Sequence, residues 1–253
     1  MPIRIRRHDK SIDPVEVTDA TGTTAGLPGE PTACHKDRKS EFRSLSGSVE
    51  SLLGRARSLV GTMMRLRHHH VVLRGERVTL RPMNKSDWDC LAKWNNDPDV
   101  LRSAEGDRVE GYTLDQVKHI YRSVSQRAHC FIVEADGRSV GECWLQRMNL
   151  DRVLSRYPGR DCRRIDLMIG ESGYRGRGLG TEVVAMLTHF AFEQEQADLV
   201  FGCDIAEDNP ASLRVFLKAG YRVDQEVPQP AGNKTPFRYD VKATRPSAPG
   251  EPA

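Results

Sequence analysis

Residues 165–182, IDLMIGESGYRGRGLGTE, carry the most informative pattern in this sequence. The first residues alternate in the manner of a strand, and from Leu179 onward apolar residues recur at helical spacing. The glycines in between let successive backbone N–H groups turn towards one point, because no Cβ stands in the way. The helix that follows adds unpaired N–H groups and the positive end of its dipole. The pattern therefore predicts an anion-binding loop, in which about four or five N–H groups could hold a pyrophosphate without a metal ion.

Two other glycine-rich phosphate loops do not fit these residues. The chain contains no G-x-x-x-x-G-K-[ST] sequence, which excludes a Walker loop. The glycines from Gly176 to Gly180 run G-x-G-x-G rather than G-x-G-x-x-G, and no ribose-binding acid follows at the expected distance. A purely structural turn stays open as the alternative on these glycines alone.

Strand and helix patterns alternate on both sides of the loop. Strands are predicted at 77–83, 130–135, 139–146, 163–170, 199–205, 221–227 and 237–245. Helices are predicted at 86–97, from Thr113 (with Gln116 completing a capping box), at 178–194 and at 209–219. Asp136-Gly137 predicts a tight hairpin between the second and third strands. The order β-α-α-β-β-β-α-β-α-β-β is that of a mixed α/β sheet with helices on its faces.

Composition narrows the class of protein. The 38 basic and 35 acidic residues are interspersed and leave a net charge of +3, which argues against a nucleic-acid-binding domain. No apolar run approaches the roughly 18 residues that span a bilayer, and the N-terminus lacks a signal-peptide core, so no membrane association is expected. The six cysteines contain no Cys-x-x-Cys pair, which favours a reduced, cytoplasmic setting.

The N-terminal quarter of the chain differs from the rest. It is rich in Thr, Ser, Gly and Pro, and then shows helical apolar spacing with arginines before His68-His69-His70. The predicted organisation is a disordered extension at 1–48, a basic amphipathic helix and linker at 49–70, a folded domain at 71–245 and a flexible tail at 246–253. The helix could contact a membrane or a partner, or dock on its own domain, or precede a true start at Met63 or Met64. The histidine triplet is interpreted as an exposed linker, since adjacent histidines lack the spacing of a preorganised metal site.

Two blocks of sequence resemble one family. Arg175-x-x-Gly178-x-Gly180 is similar to the R/Q-x-x-G-x-G/A motif of the GNAT N-acetyltransferases, and it lies between a strand and a long helix as in that family. Residues 209–221, NPASLRVFLKAGY, are similar to the family's N-x-x-S/A-x-x-x-Y-x-K-x-G-F segment. The resemblance covers 71–245 and implies the GNAT fold, a mixed, mostly antiparallel sheet of six to seven strands with helices on both faces and a splayed central strand pair.

The resemblance also implies acetyl-CoA as co-substrate and no metal. The residues implied to bind the cofactor are Arg175, Gly176, Arg177, Gly178, Leu179, Gly180 and Thr181 at the pyrophosphate, Leu167, Met168 and Ile169 at the pantetheine arm, Asn209 and Ser212 along the groove, and Lys218 towards the nucleotide phosphates. Asn209 could instead cap its helix, or combine both roles, and Lys218 could be an ordinary solvated side chain.

The acceptor implied by the family is an amine, and a protonated amine must lose a proton before it can attack. Asp166 is the predicted catalytic residue, since it points away from the apolar face formed by Ile165 and Leu167 and lies just before the loop. It would orient the amine or act through water, and the alternative is an ordinary outward acid. Acids predicted to bind a cationic acceptor are Glu142, Asp151 and Asp161.

One position departs from the family. The family's tyrosine, which can protonate the leaving thiolate, corresponds to Phe216 here, so the general acid is unassigned and Tyr221 is a distant option. The sequence most resembles the aminoglycoside 6'-N-acetyltransferases, then the RimJ/RimL-type protein acetyltransferases and the siderophore-type lysine acyltransferases. The arginine-rich loop 149–164 weakens the aminoglycoside interpretation unless those arginines face solvent. Phe216 also keeps open a CoA-binding module without catalysis, and the chain could be a monomer or a homodimer.

Overall fold

The computed structural model describes residues 64–105, 111–230, 233 and 235–246. The extension predicted to be disordered at 1–48 lies outside these residues, as do nearly all of the predicted helix 49–66 and residues 247–253 of the predicted tail. Residues 64–70 are described and form neither helix nor strand.

Eight strands form a single sheet in the order β1-β2-β3-β4-β5-β6-β8-β7. They are β1 (Leu73–Arg74), β2 (Thr79–Pro82), β3 (Ala128–Ala135), β4 (Arg138–Arg147), β5 (Cys162–Ile169), β6 (Leu199–Ala206), β7 (Arg222–Pro228) and β8 (Phe237–Thr244). Neighbouring strands run antiparallel except for the parallel pair β5 and β6. The prediction of a mixed, mostly antiparallel sheet is confirmed, and the count exceeds six to seven by the two-residue strand β1.

Six α-helices lie in the described part of the chain. They are α1 (Trp88–Asn95), α2 (Pro98–Glu105), α3 (Leu114–Ser125), α4 (Asp151–Leu154), α5 (Leu179–Glu193) and α6 (Pro210–Lys218). The capping box of Thr113 with Gln116 and the hairpin at Asp136-Gly137, whose φ angles are 51° and 71°, are both confirmed. Pro98 was predicted only to stop a helix, but it also begins α2, because a proline is tolerated in the first helical turn.

Strand β5 is buried on both faces. Ile165, Leu167 and Ile169 pack in the apolar core beneath α5, as the alternation predicts. Met168 lies on the opposite face, in a second core formed with α1 and α3. The face of β5 that carries Asp166 and Met168 was predicted to point away from the core. This face is buried as well, because helices cover both sides of the sheet.

Strands β5 and β6 separate after a short paired stretch. Cys162–Arg164 pairs with Leu199–Phe201, and the two strands share no further ladder in the described part of the chain. Strand β6 has a register shift against β8 between Gly202 and Ile205. The predicted splay of the central pair is confirmed. Because the strands separate, Leu167 to Ile169 of β5 do not pair with β6.

Candidate active site

The glycine-rich loop leads directly into the N-terminus of α5. Gly176 and Gly178 have φ angles of 76° and 83°, and Gly178 is the residue that precedes the first helical turn. A residue with a side chain rarely adopts this left-handed conformation, which explains the glycines. The 15-residue helix that follows presents its first N–H groups and its dipole to the same point.

A cleft of about 440 Å³ opens between this loop and α6. Its walls are Ile169, Tyr174, Arg175, Gly176, Gly178, Leu179, Gly180, Thr181, Ala211, Arg214, Val215 and Lys218. The structure therefore brings most of the predicted cofactor residues to one cavity. Arg214 was missed by the sequence interpretation, although it lies one helical turn before Lys218 and so on the same face.

Arg175 shapes the loop through contacts that the sequence did not predict. Its Nε donates to the carbonyl of Ile169 at 3.0 Å and its Nη2 to the carbonyl of Gly170 at 2.7 Å. Nη2 also lies 3.1 Å from the carboxylate of Asp97, and the side chain is 5% exposed. The guanidinium thus fixes the bend between β5 and the loop.

Asn209 and Ser212 do not line this cleft. The side chain of Asn209 accepts from the backbone N–H of Ser212 at 3.1 Å and caps α6, which was the alternative considered for it. The Ser212 hydroxyl is buried and has no hydrogen-bond partner in the described part of the chain. Leu167 and Met168 are also outside the cleft lining, and they lie on the free edge of β5 above it.

Asp166 lies in a buried polar network on the face opposite α5. Its Oδ1 accepts from Nη2 of Arg164 at 2.8 Å, and both side chains are 2% exposed. Its Oδ2 accepts from the indole N–H of Trp144 at 2.8 Å and from the amide of Gln146 at 3.2 Å. These contacts hold the carboxylate in one orientation, so it can position a partner but is not a freely hydrated base.

The three acids predicted to bind the acceptor have different surroundings. Glu142 is buried on the same face as Asp166 and accepts from the hydroxyl of Tyr121 at 3.1 Å. Asp161 forms an ion pair with Arg163 at 2.7 Å. Asp151 is exposed in the first turn of α4. Of the three, Glu142 is the one that the structure places beside Asp166.

Two further acids near the splay were missed by the sequence interpretation. Asp204 has a φ of 58° at the register shift in β6, and Asp240 is fully buried on β8. Nη2 of Arg152 lies 3.0 Å from both carboxylates, and Asp240 also accepts from the backbone N–H of Asp204 at 3.0 Å. Oδ2 of Asp204 is buried and has no hydrogen-bond partner among the described residues. No local pattern marks these acids, because their partners lie on other strands.

The arginines of the loop between β4 and β5 are offset by acids. The ion pairs are Arg152 with Asp204 and Asp240, Arg156 with Asp224, Arg160 with Asp198, Arg163 with Asp161 and Glu195, and Arg164 with Asp166. The positive charge that counted against a cationic acceptor is therefore neutralised. From the sequence, these arginines were expected to face solvent if the acceptor is an aminoglycoside. In the structure their charge is offset by ion pairs instead.

Asp224 anchors this loop to the far edge of the sheet. Its side chain is 3% exposed and accepts from Arg156 Nη2 at 2.6 Å, while the Tyr157 hydroxyl and Lys242 Nζ contact its other oxygen. Burial by itself would raise the pKa of Asp224, but the hydrogen bonds from Tyr157 and Lys242 and the charges of Lys242 and Arg156 lower it below its ordinary value. The carboxylate is therefore favoured in the folded state.

We expect Asp224→Asn to lower the free energy of unfolding by about 1–3 kcal/mol at pH 7. A pKa that is lowered on folding contributes stability above the unfolded value of about 3.9, and this contribution is lost as the pH falls through the folded value. Denaturant unfolding of both proteins between neutral and acidic pH should therefore show curves that converge below about pH 4. A constant difference across this range would contradict the assignment.

Phe216 is fully buried, and its ring packs against Gly202 of β6 and edge-on against Tyr221 at 5.1 Å. The hydroxyl of Tyr221 lies 2.6 Å from that of Thr188, which itself donates to a helix carbonyl. Burial raises the pKa of Tyr221, although the hydrogen bond with Thr188 opposes this. Tyr221 is therefore held on the core side of α5 and does not line the cleft between the glycine-rich loop and α6.

The described residues show neither a metal-binding cluster nor a membrane-spanning helix. They contain no group of three or more His, Cys, Asp or Glu side chains arranged to hold a metal ion. None of the helices among the described residues combines the length and apolar character needed to cross a membrane.

The structure combines a splayed parallel pair, a glycine-rich loop at the N-terminus of a long helix, and a cleft between that loop and α6. The chain belongs to the family described as the acetyltransferase (GNAT) domain, whose model matches residues 77–222. It is thus an acetyltransferase, with acetyl-CoA as its co-substrate.

The chain is also similar in sequence and in fold to known acetyltransferases. An acetyltransferase of Sodalis glossinidius (strain morsitans) is 27% identical over 129 residues, which are 51% of this chain and 82% of that protein. The crystal structure of the aminoglycoside acetyltransferase AAC(6')-Ib with coenzyme A is 25% identical, covers 66% of this chain and 95% of that one, and has a TM-score of 0.53. RimJ of Mycobacterium smegmatis with CoA-disulfide is 18% identical over 69% of this chain and 86% of that one, with a TM-score of 0.53, and shows the fold alone.

Proposed function

We propose that this acetyltransferase acts on a primary amine of a polycationic small molecule of the aminoglycoside kind. The observation that carries the proposal is the acid-rich network beside the splay. Four acids are buried there, namely Glu142, Asp166, Asp204 and Asp240, and Arg164 pairs with Asp166 while Arg152 pairs with Asp204 and Asp240. Burial of carboxylates is costly unless cations offset their charge, and an ammonium group of the acceptor would add to this compensation.

The cofactor is proposed to bind along the loop and the free edge of β5. The N–H groups from Arg177 to Thr181 would hold the pyrophosphate, as helix N-termini bind anions. The backbone of Leu167 to Ile169 would pair with the amides of the pantetheine arm, since β6 does not occupy this edge. Arg214 and Lys218, which line the opposite wall, would contact the nucleotide phosphates.

The reaction is proposed to proceed by direct attack in a ternary complex. Asp166 would orient the ammonium group so that its proton passes to water and the free amine faces the thioester. The amine nitrogen then bonds to the acetyl carbon, the carbon–sulfur bond breaks, and the CoA thiolate leaves with the electron pair. Phe216 has no proton to give, so the thiolate takes its proton from the attacking nitrogen or from solvent.

The acceptor class can be tested by thiol release from acetyl-CoA with three amines side by side. We expect a kanamycin-type aminoglycoside to give a kcat/KM at least ten times that of an N-terminal peptide or of N-hydroxylysine. A faster reaction with the peptide would favour a RimJ/RimL-type enzyme, and one with N-hydroxylysine a siderophore-type acyltransferase. Binding of acetyl-CoA with no turnover of any of the three amines would contradict the proposed acceptor and favour a CoA-binding module without catalysis.

A further inference from the structure

A second cleft, of about 600 Å³, lies at the other end of α5. Its walls include four arginines, Arg67, Arg127, Arg147 and Arg163, and one acid, Glu195. This volume falls in the range of small-molecule sites. Helix α5 has 15 residues and is thus about 22 Å long, which separates this cleft from the glycine-rich loop.

The cleft carries an excess of positive charge. Glu195 is already engaged by Arg163, whose Nη1 lies 3.2 Å from Oε2. Arg127 and Arg147 are exposed and have no ion-pair partner in the part of the chain that the structure describes. Two guanidinium groups at its rim are therefore available to an anion, and guanidinium binds phosphate and carboxylate groups in a bidentate manner.

Two histidines, His69 and His129, line the inner part of the cleft. His69 Nε2 lies 2.9 Å from the carbonyl of Cys130, so this nitrogen carries the proton. Its Nδ1 is buried, has no hydrogen-bond partner among the described residues and is an acceptor in this tautomer, so His69 forms a wall of the cleft and does not bind the anion. The ring of His129 lies 5.0 Å from that of His69 and also lines the cleft. The pKa of His129 lies below its ordinary value, mainly because the ring is buried. The charge of Glu195 raises this pKa, whereas the positive charges of Arg67 and Arg163 lower it further.

The inner wall of the cleft contacts the buried ion pair of the candidate active site. Gln146 lines the cleft, and its amide donates to Asp166 at 3.2 Å. Asn149 also lines it, and its Oδ1 accepts from Arg164 Nη1 at 3.4 Å. An anion that accepts a hydrogen bond from the Gln146 amide would compete with Asp166 for this donor and so change the position of Asp166.

We propose that this cleft binds a small molecule with two or more negative charges, carried on phosphate or carboxylate groups. The anion would bridge the guanidinium groups of Arg127 and Arg147 at the rim. Its binding would change the rate of acetyl transfer through Gln146. The site is independent of the amine acceptor, so its existence does not rest on the proposed substrate.

Calorimetric titration of the full chain, saturated with CoA and at low ionic strength, tests the proposal. CoA blocks the pyrophosphate-binding loop, so inorganic pyrophosphate and citrate, as phosphate and carboxylate probes, report on the second cleft. We expect one site per chain, and at least tenfold weaker binding in the variant Arg127→Gln/Arg147→Gln. The matched control Arg138→Gln/Arg222→Gln, which removes two exposed strand arginines elsewhere, should change the affinity by less than twofold.

Binding of neither probe to the CoA-saturated protein, or equal losses in the two double variants, would overturn the site. Coupling is measured as kcat at saturating acetyl-CoA, which should change at least twofold on saturation with the bound probe, and should not change in Arg127→Gln/Arg147→Gln. Binding without any change in kcat would confirm the site and overturn its coupling to Asp166.

Discussion

Replacing Gly178 with valine is expected to weaken acetyl-CoA binding by about 30- to 150-fold, the equivalent of about 2–3 kcal/mol. Gly178 has a φ of 83°, which a β-branched residue adopts only with strain. Relief of that strain would rotate the N–H groups at the start of α5 away from the pyrophosphate, and each such charge-assisted bond contributes roughly 1.5–3 kcal/mol. The dissociation constant of CoA, measured by calorimetry, is the direct measure.

The matched control is Gly173→Val in the same loop. No atom lies within 4 Å of a Cβ built on Gly173, and its φ lies outside the left-handed range. The two variants carry the same side chain in one segment, so a general effect of valine on the loop would affect both. An affinity of Gly178→Val equal to that of Gly173→Val would remove the loop from cofactor binding.

Asp166→Asn is expected to lower kcat by at least about 100-fold and also to destabilise the fold. The substitution removes the carboxylate that pairs with the buried Arg164, and breaking a buried ion pair costs about 3–5 kcal/mol. For a domain of this size the melting temperature should fall by about 6–20 °C. CoA affinity should be nearly unchanged, because Asp166 lies on the face of β5 opposite α5 and does not line the cofactor cleft.

A second variant separates catalysis from stability. In Arg164→Met/Asp166→Asn both members of the ion pair are neutral, and replacing such a pair with uncharged side chains is often close to neutral for stability. We expect the melting temperature of the double variant to return towards that of the parent while kcat stays low. Recovery of kcat together with stability would show that Asp166 supports the fold and does not take part in acetyl transfer.

The features predicted correctly from the sequence depend on contacts between neighbours in the chain. The hairpin at Asp136-Gly137 and the cap at Thr113 are each completed within a few residues. The alternation of β5 correctly placed Asp166 on the face opposite Ile165, since side chains in a strand alternate. What alternation could not show is that this second face is covered too, because the covering helices α1 and α3 lie far earlier in the chain.

The composition of the polar network depends on contacts between residues far apart in the chain. Arg152 reaches Asp240 across 88 residues, and Arg156 reaches Asp224 across 68. The sequence showed an arginine-rich loop and indicated positive charge, whereas the folded chain neutralises each of these arginines. Asp204 was missed for the same reason, since its importance comes from a register shift between two strands.

The sequence by itself determined the position of the glycine-rich loop, the order of the longer strands and helices, and membership of the GNAT acetyltransferases. These follow from glycine conformations, capping and alternation, which act over a few residues. Only the tertiary structure showed which acids are buried beside the splay, that Tyr221 lies away from the cleft beside the loop, and that a basic cleft lies behind Asp166. Those properties arise from burial and from distances between strands, which no local pattern records.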